Sequence, residues 1–204
     1  MQSKGTLVVI SGPSGSGKGT VVKRLREIMP EVSLSVSATT RAPREGEMDG
    51  REYYFITRDD FEDMVAQGEI LEFTSYCGNY YGTPKKEAER ITGEGRDLIL
   101  EIEVDGASQI KRLVPDSVTI MLIPPTVSKL EERLRGRGTE TEQVISNRLA
   151  RAREEIKLAT SYDYVVVNED DGVEECAETI REIIRAERNK SARMSYITDK
   201  FLEN

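Results

Sequence analysis

The chain has 204 residues, 32% of them charged, with a formal net charge of −8, two cysteines and no histidine. That length builds one substantial core with room for small inserted lobes. The acidic balance excludes a sequence-independent hold on nucleic acid, so no nucleic-acid partner is expected. Without imidazole there is no histidine triad, no Zn–His site and no imidazole acid–base chemistry. Cys77 and Cys176 lack metal-ligand spacing, and no apolar run approaches a membrane span. The expectation is a reduced, cytoplasmic protein with no membrane partner.

Residues 6–10 read as a short buried strand. Next comes Ser11-Gly12-Pro13-Ser14-Gly15-Ser16-Gly17-Lys18-Gly19-Thr20. After it, Val21, Val22, Leu25, Ile28 and Met29 share one face of a helix over 18–29, stopped by Pro30. Strand, Gly-rich turn and helix form the context of a phosphate-binding loop. Gly12, Gly15 and Gly17 let the backbone curl and aim its N–H groups inward. The helix start adds unpaired donors and Lys18 adds a mobile charge, so a polyphosphate is the expected guest. Gly19 stands where the strict pattern has Ser or Thr, and the hydroxyl comes one later, on Thr20. Mg²⁺ is therefore expected to be held more by phosphates and water than by a loop hydroxyl.

Residues 35–83 break the strand–helix rhythm and read as an inserted lobe. Within it, a short helix starts at Asp59-Asp60 and ends before Gly68. Residues 70–74 pair back with Tyr80-Tyr81 around Gly78-Asn79. On alternation alone, Glu72 is an outward-facing strand residue between Leu71 and Phe73. Thr83-Pro84 reads as a helix cap followed by proline at the first helical position.

From residue 84 to 190 the rhythm resumes, with strands at 97–103, 117–123 and 163–168 and helices at 105–114, 126–135, 141–159 and 172–190. This alternation predicts an α/β fold, a three-layer parallel sheet with helices on both faces. Residues 1–34 and 84–190 form its core, and ligands belong at the carboxyl ends of its strands. Glu101 and Glu103 alternate onto one face of the second strand. An acid at the end of an apolar strand is a usual organiser of Mg²⁺. Asp105 reads as a helix N-terminal acid, and Asn168 as a strand terminator. Arg135-Gly136-Arg137-Gly138 is a Gly-punctuated corner between helices, an ordinary stop or a hinge, and 126–158 is the candidate helical lid. Arg41, Arg44 and Arg51 form one cationic group, and Arg133, Arg135, Arg137, Arg148, Arg151 and Arg153 another. Local cations in an acidic chain suit a small anionic ligand. Residues 191–204 carry no assignable role.

Ser37-Ala38-Thr39-Thr40-Arg41-Ala42-Pro43-Arg44, followed by Glu47, Gly50, Tyr53 and Phe55, resembles the signature of guanylate kinases. Gly78-Asn79-Tyr80-Tyr81-Gly82-Thr83 and Arg137-Gly138-Thr139-Glu140-Thr141-Glu142 also look like segments of that family. The resemblance runs from about residue 5 to residue 188.

Chemistry agrees with it. Arginines give bidentate contacts to a phosphate dianion, and phenols donate single O–H bonds. The resemblance implies that Arg41, Arg44, Tyr53 and Tyr81 hold the GMP phosphate. It implies that Glu72 and Ser37 read guanine, with Thr83 close by and Glu103 at the same nucleoside. A carboxylate can take both N1–H and the exocyclic amine of guanine; adenine offers neither pattern. The resemblance further puts Glu101 near Mg²⁺, Arg137 and Arg148 on the transferring phosphoryl group, and Asn168 at adenine. Relatives often carry aspartate where Glu103 stands and glutamine where Asp105 stands. The reaction implied is ATP + GMP ⇌ ADP + GDP, with dGMP as a further acceptor. A kinase for a phosphorylated sugar would lack Ser37, Arg41, Arg44, Tyr53, Glu72 and Tyr81. A phosphopeptide-binding module would have a degraded ATP loop, whereas Gly12, Gly17 and Lys18 are intact.

Overall fold

The computed structural model describes residues 4–76, 78–136, 138 and 141–202. Arg137, with Cys77, Thr139 and Glu140, lies outside the described residues. The chain opens with β1 (Leu7–Ser11), the Gly-rich loop, α1 (Lys18–Ile28) and β2 (Ser33–Leu34). The lobe holds β3 (Ala38–Thr39), β4 (Tyr54–Phe55), α2 (Arg58–Ala66), β5 (Ile70–Tyr76) and β6 (Asn79–Pro84). The core continues with α3 (Lys85–Gly93), β7 (Leu98–Glu101), α4 (Val104–Leu113) and β8 (Val118–Ile123). It ends with α5 (Val127–Arg135), α6 (Glu142–Lys157), β9 (Tyr164–Val167), α7 (Val173–Arg188) and α8 (Ser195–Leu202).

The core sheet is parallel throughout, in the order β2-β7-β1-β8-β9. Every residue of β1 is buried, as a central parallel strand covered on both faces requires. Val8 and Ile10 face α1 and α7 in one apolar cluster with Leu25, Ile120 and Ile180. Leu7 and Val9 face α3 and α4 with Leu98, Ile91 and Ile110. The three-layer expectation therefore holds. A separate cluster of Leu130, Leu134, Ile145 and Ala152 joins α5 to α6, so these two helices carry their own small core. Among the described residues no helix is long and apolar enough to cross a membrane.

The lobe has its own four-stranded sheet, β4-β3-β6-β5, in which β5 and β6 form the expected hairpin. Phe61, Phe73 and Tyr80 pack together on one side of it, and the Arg58 guanidinium sits 4.5 Å over the Tyr80 ring. Thr57 caps α2 by accepting from the Asp60 N–H, and Gly68, at φ 69°, turns the chain out of that helix. The free edge of β5 is held to the core by Gln109 of α4, which accepts from the Phe73 N–H and donates to the Phe73 carbonyl.

Two local expectations are corrected. Thr83 and Pro84 end β6, and Pro84, not Thr83, precedes α3 as its cap. The first N–H of that helix, from Lys85, goes to the Glu69 carbonyl at 2.8 Å. Thr83 is thereby released for a partner inside the lobe. The strand expected over 97–103 stops at Glu101, and Glu103 stands at the N-cap of α4. Glu101 and Glu103 are thus not alternate residues of one strand. An acid at the positive end of a helix is a favourable exchange for two more strand residues.

Candidate active site

The Gly-rich loop joins β1 to α1 at the carboxyl edge of the sheet. Two of its glycines are there because something touches them. A Cβ on Gly15 would lie 2.9 Å from Leu130 Cδ1 and 3.0 Å from Leu134 Cδ2, so its bareness lets α5 pack on the loop. A Cβ on Gly17 would lie 2.4 Å from Asn168 Nδ2. Both glycines also have φ of 93°, a conformation that L side chains rarely adopt. Ser16 N–H donates to the Pro13 carbonyl at 3.1 Å, closing the turn. Lys18 lies across the loop, donating to the Gly12 carbonyl at 2.6 Å and more weakly to that of Pro13. Ser14 Oγ accepts from Arg148 at 2.9 Å, so an arginine of α6 reaches the loop. Gly19 and Thr20 are exposed at the start of α1; Thr20 lies outside the lining of the main cleft.

Asn168 follows β9 and is 3% exposed. Its side-chain amide donates to the Ser16 carbonyl at 2.8 Å, and its backbone carbonyl accepts from Arg133. The side chain therefore braces the loop from behind.

Between loop and lobe lies a cleft of about 410 Å³, with Lys18, Arg148 and Arg151 at one end and Ser37, Tyr53, Glu72 and Tyr81 at the other. Glu72 is 4% exposed. The side chain that alternation alone turned outward is turned in, because a bulge between Ile70 and Phe73 shifts the register. Burial pushes the Glu72 carboxyl up from its ordinary range; donors on Thr83, the hydroxyl at 2.8 Å and the backbone N–H, pull it down. A buried carboxylate needs such partners. Its second oxygen lies against Gly106, where a Cβ would come within 2.6 Å.

Arg41 forms a two-pronged pair with Glu47, Nη1–Oε2 and Nη2–Oε1 both 2.9 Å. Glu47 also accepts from the Arg44 backbone N–H at 2.7 Å. The Arg41 bond, then the Arg44 one, hold the Glu47 carboxyl below its usual range. The Arg41 guanidinium sits 5.4 Å over the Tyr53 ring, and Glu47, with Tyr81 adding to it, raises the Arg41 pKa. Tyr53 and Tyr81 meet edge to face at 5.8 Å. Burial, then the neighbouring Tyr81, pushes the Tyr53 phenol up, so it stays a donor. Arg44 is exposed at the rim.

Glu101 opens into the cleft beside α1; a Cβ on Gly19 would lie 3.4 Å from its Oε1. Burial raises its carboxyl, Lys18 offsets part of that, and Glu103 adds to it. Glu103 approaches Lys18 at 3.9 Å. Across the cleft, Arg151 donates to the buried Glu155 at 2.7 Å and pairs with Asp105 at 3.6 Å. Among the described residues no trio of His, Cys, Asp or Glu clusters as a metal cage. A Mg²⁺ held chiefly by nucleotide phosphates needs one or two carboxylates and several waters, and Glu101 fits that demand.

The structure thus brings Ser14, Lys18, Ser37, Tyr53, Glu72, Tyr81, Glu101, Glu103 and Arg148 to one cleft, with Thr83 behind Glu72 and Arg41 behind Tyr81. Arg137 lies outside the described residues. Glu47, Gly106, Thr74, Arg151 and Glu155 were not among the expected site residues. Glu47 had a signal in its spacing from Arg41 and Arg44; the others are joined to the site only by the fold.

The family model for guanylate kinase matches residues 4–187. A guanylate kinase of Lactococcus lactis subsp. lactis (strain IL1403) is 50% identical over 194 residues, 95% of this chain and 94% of that protein. One of Clostridioides difficile (strain 630) is 48% identical over 201 residues, 98% and 97% of the two chains. The crystal structure of guanylate kinase from Anaplasma phagocytophilum superposes with a TM-score of 0.73 at 36% identity, covering 95% of this chain and 91% of that one.

Proposed function

This chain belongs to the guanylate kinase family, and from that premise we propose that its cleft transfers the γ-phosphoryl group of ATP to GMP, and to dGMP, giving ADP and GDP or dGDP. One observation carries the reading of the acceptor: a buried carboxylate, Glu72, held by Thr83 and facing a cleft whose other end is a phosphate-binding loop. Glu72 takes N1–H and the exocyclic amine of guanine, and Ser37 serves O6. Arg41, Arg44, Tyr53 and Tyr81 hold the acceptor phosphate, and Glu103 borders the same nucleoside. Gly12 to Thr20 wrap the ATP phosphates, with Lys18 as their mobile cation. Asn168 sits at the end of β9, where the donor base belongs, and supports the loop through Ser16.

The acceptor phosphate is already anionic near neutral pH, so no base is required. Catalysis is alignment and charge neutralisation. Arg148 and Arg137 close on the transferring group, and Lys18 leaves the Gly12 carbonyl for a phosphate oxygen. Thr20 and Glu101 would hold Mg²⁺, in part through water. The ion, when bound, would supply positive charge against the developing negative charge of the phosphates. The lid helices and the lobe exclude water that would otherwise hydrolyse ATP. Such an enzyme works where ATP and GMP are kept, in the cytoplasm. Phosphorus NMR of ATP, GMP and Mg²⁺ with the protein tests the reading. ADP and GDP should appear in equal amounts and stop on adding EDTA. ADP with free phosphate and no GDP would reject transfer to GMP.

A further inference from the structure

β5 presents Glu72, Thr74 and Tyr76 to the cleft, while Phe73 between them packs away on Phe61 and Tyr80. Thr74 stands directly opposite Tyr81 on β6, so their side chains share the cleft face of the hairpin. It is half-buried. Among the described residues no group hydrogen-bonds its hydroxyl. Thr83 is spent on Glu72, and Thr39 on the Tyr80 carbonyl. Thr74 thus brings an unspent O–H to the acceptor end of the cleft.

We propose that Thr74 donates its hydroxyl to N7 of the guanine, which makes it a further specificity-determining residue of the acceptor site. The inference rests on the guanine reading of Glu72. Two residues of strand separate the Glu72 and Thr74 side chains on one face, about 6.6 Å. That is the order of spacing between two groups bonded to N1–H and to N7 of one purine, since each hydrogen bond reaches outward from the ring. With Glu72 on N1–H and the exocyclic amine, and Ser37 on O6, the only base-edge acceptor on that side without a donor is N7. Thr74 is the donor the strand period brings to it. The adjacent Ser75 pairs with Tyr80 and also borders the cleft, but it stands one residue out of step with the Glu72–Thr74 face. Were Ser75 the donor instead, Thr74→Val would keep the wild-type ratio.

The test is kcat/KM for GMP and for 7-deaza-GMP, which lacks the N7 lone pair, in the wild type, Thr74→Val and Thr74→Ser. The wild type should prefer GMP by about three- to tenfold, the worth of one neutral hydrogen bond. Thr74→Val, nearly the same shape without the hydroxyl, should treat both acceptors alike at the wild-type rate for 7-deaza-GMP. Thr74→Ser should keep the preference, and KM for ATP should stay within twofold in both variants. A wild type indifferent to 7-deaza substitution, or a Thr74→Val enzyme that keeps the wild-type ratio, overturns the proposal. A wild type that turns over neither acceptor would instead reject the guanylate reading itself.

Discussion

Gly106, in the first turn of α4, meets the carboxylate of Glu72 so closely that a Cβ there would lie 2.6 Å from Oε2. The core helix and the lobe strand are thus fitted to each other at the carboxylate proposed to read the base. Alanine favours a helix over glycine by about 1 kcal/mol, which offsets part of the cost of displacing the buried Glu72 carboxylate, so Gly106→Ala should change thermal stability little. It should raise KM for GMP at least tenfold by pushing Glu72 off its position, with KM for ATP within twofold. Unchanged GMP kinetics would mean that Glu72 has room to move.

The pair of Glu47 with Arg41 fixes a guanidinium beside Tyr53 and Tyr81. Glu47 touches no substrate in this account; it positions Arg41. Glu47→Gln removes the charge that holds both prongs, and KM for GMP should rise on the order of tenfold. Affinity for guanosine, which lacks the phosphate, should hold. Equal loss for guanosine would assign Glu47 to the folding of the lobe.

Burial raises the carboxyl of Glu72 above the value of 4.5 that it would have in an unfolded chain. A group raised in the folded state contributes stability that is fully present below 4.5 and lost as pH rises through its folded value. GMP binding runs the other way, because the base needs the ionised form. As pH falls from about 8 toward 5, KM for GMP should climb while the Glu72 share of thermal stability grows. Glu72→Gln should flatten that part of both curves. A KM for GMP that falls on acidification would contradict an ionised Glu72 in the complex.

Arg148 of α6 reaches Ser14 of the Gly-rich loop. If it neutralises the transferring group, Arg148→Ala should lower kcat on the order of a hundredfold or more and move KM for GMP little. Comparable losses in kcat and in GMP affinity would make it a binding residue.

How much of this was legible in the sequence depended on the reach of the interactions. The loop and α1 were readable because glycine spacing, Lys18 and the Val21–Leu25 face are local signals. The core helices and strands were readable for the same reason, with ends within a few residues. β2, β3 and β4 have two residues each and exist only through distant partners, such as Ser33 N–H bonding the Asp97 carbonyl. Thr83-Pro84 had the local pattern of a helix start. A buried Glu72 eleven residues away outbid it, while Glu69 satisfied the helix instead. Glu72 itself turns inward through a bulge that alternation cannot register. The pairing of Arg151 with Asp105 joins elements that only the fold brings together.

The most direct test of the account is ADP release from ATP and Mg²⁺ with GMP, dGMP, AMP, CMP and UMP offered singly to the wild type and to Glu72→Ala. Turnover confined to GMP and dGMP, and lost with the glutamate, is the predicted result. Turnover of AMP by the wild type at a rate comparable to GMP would contradict it.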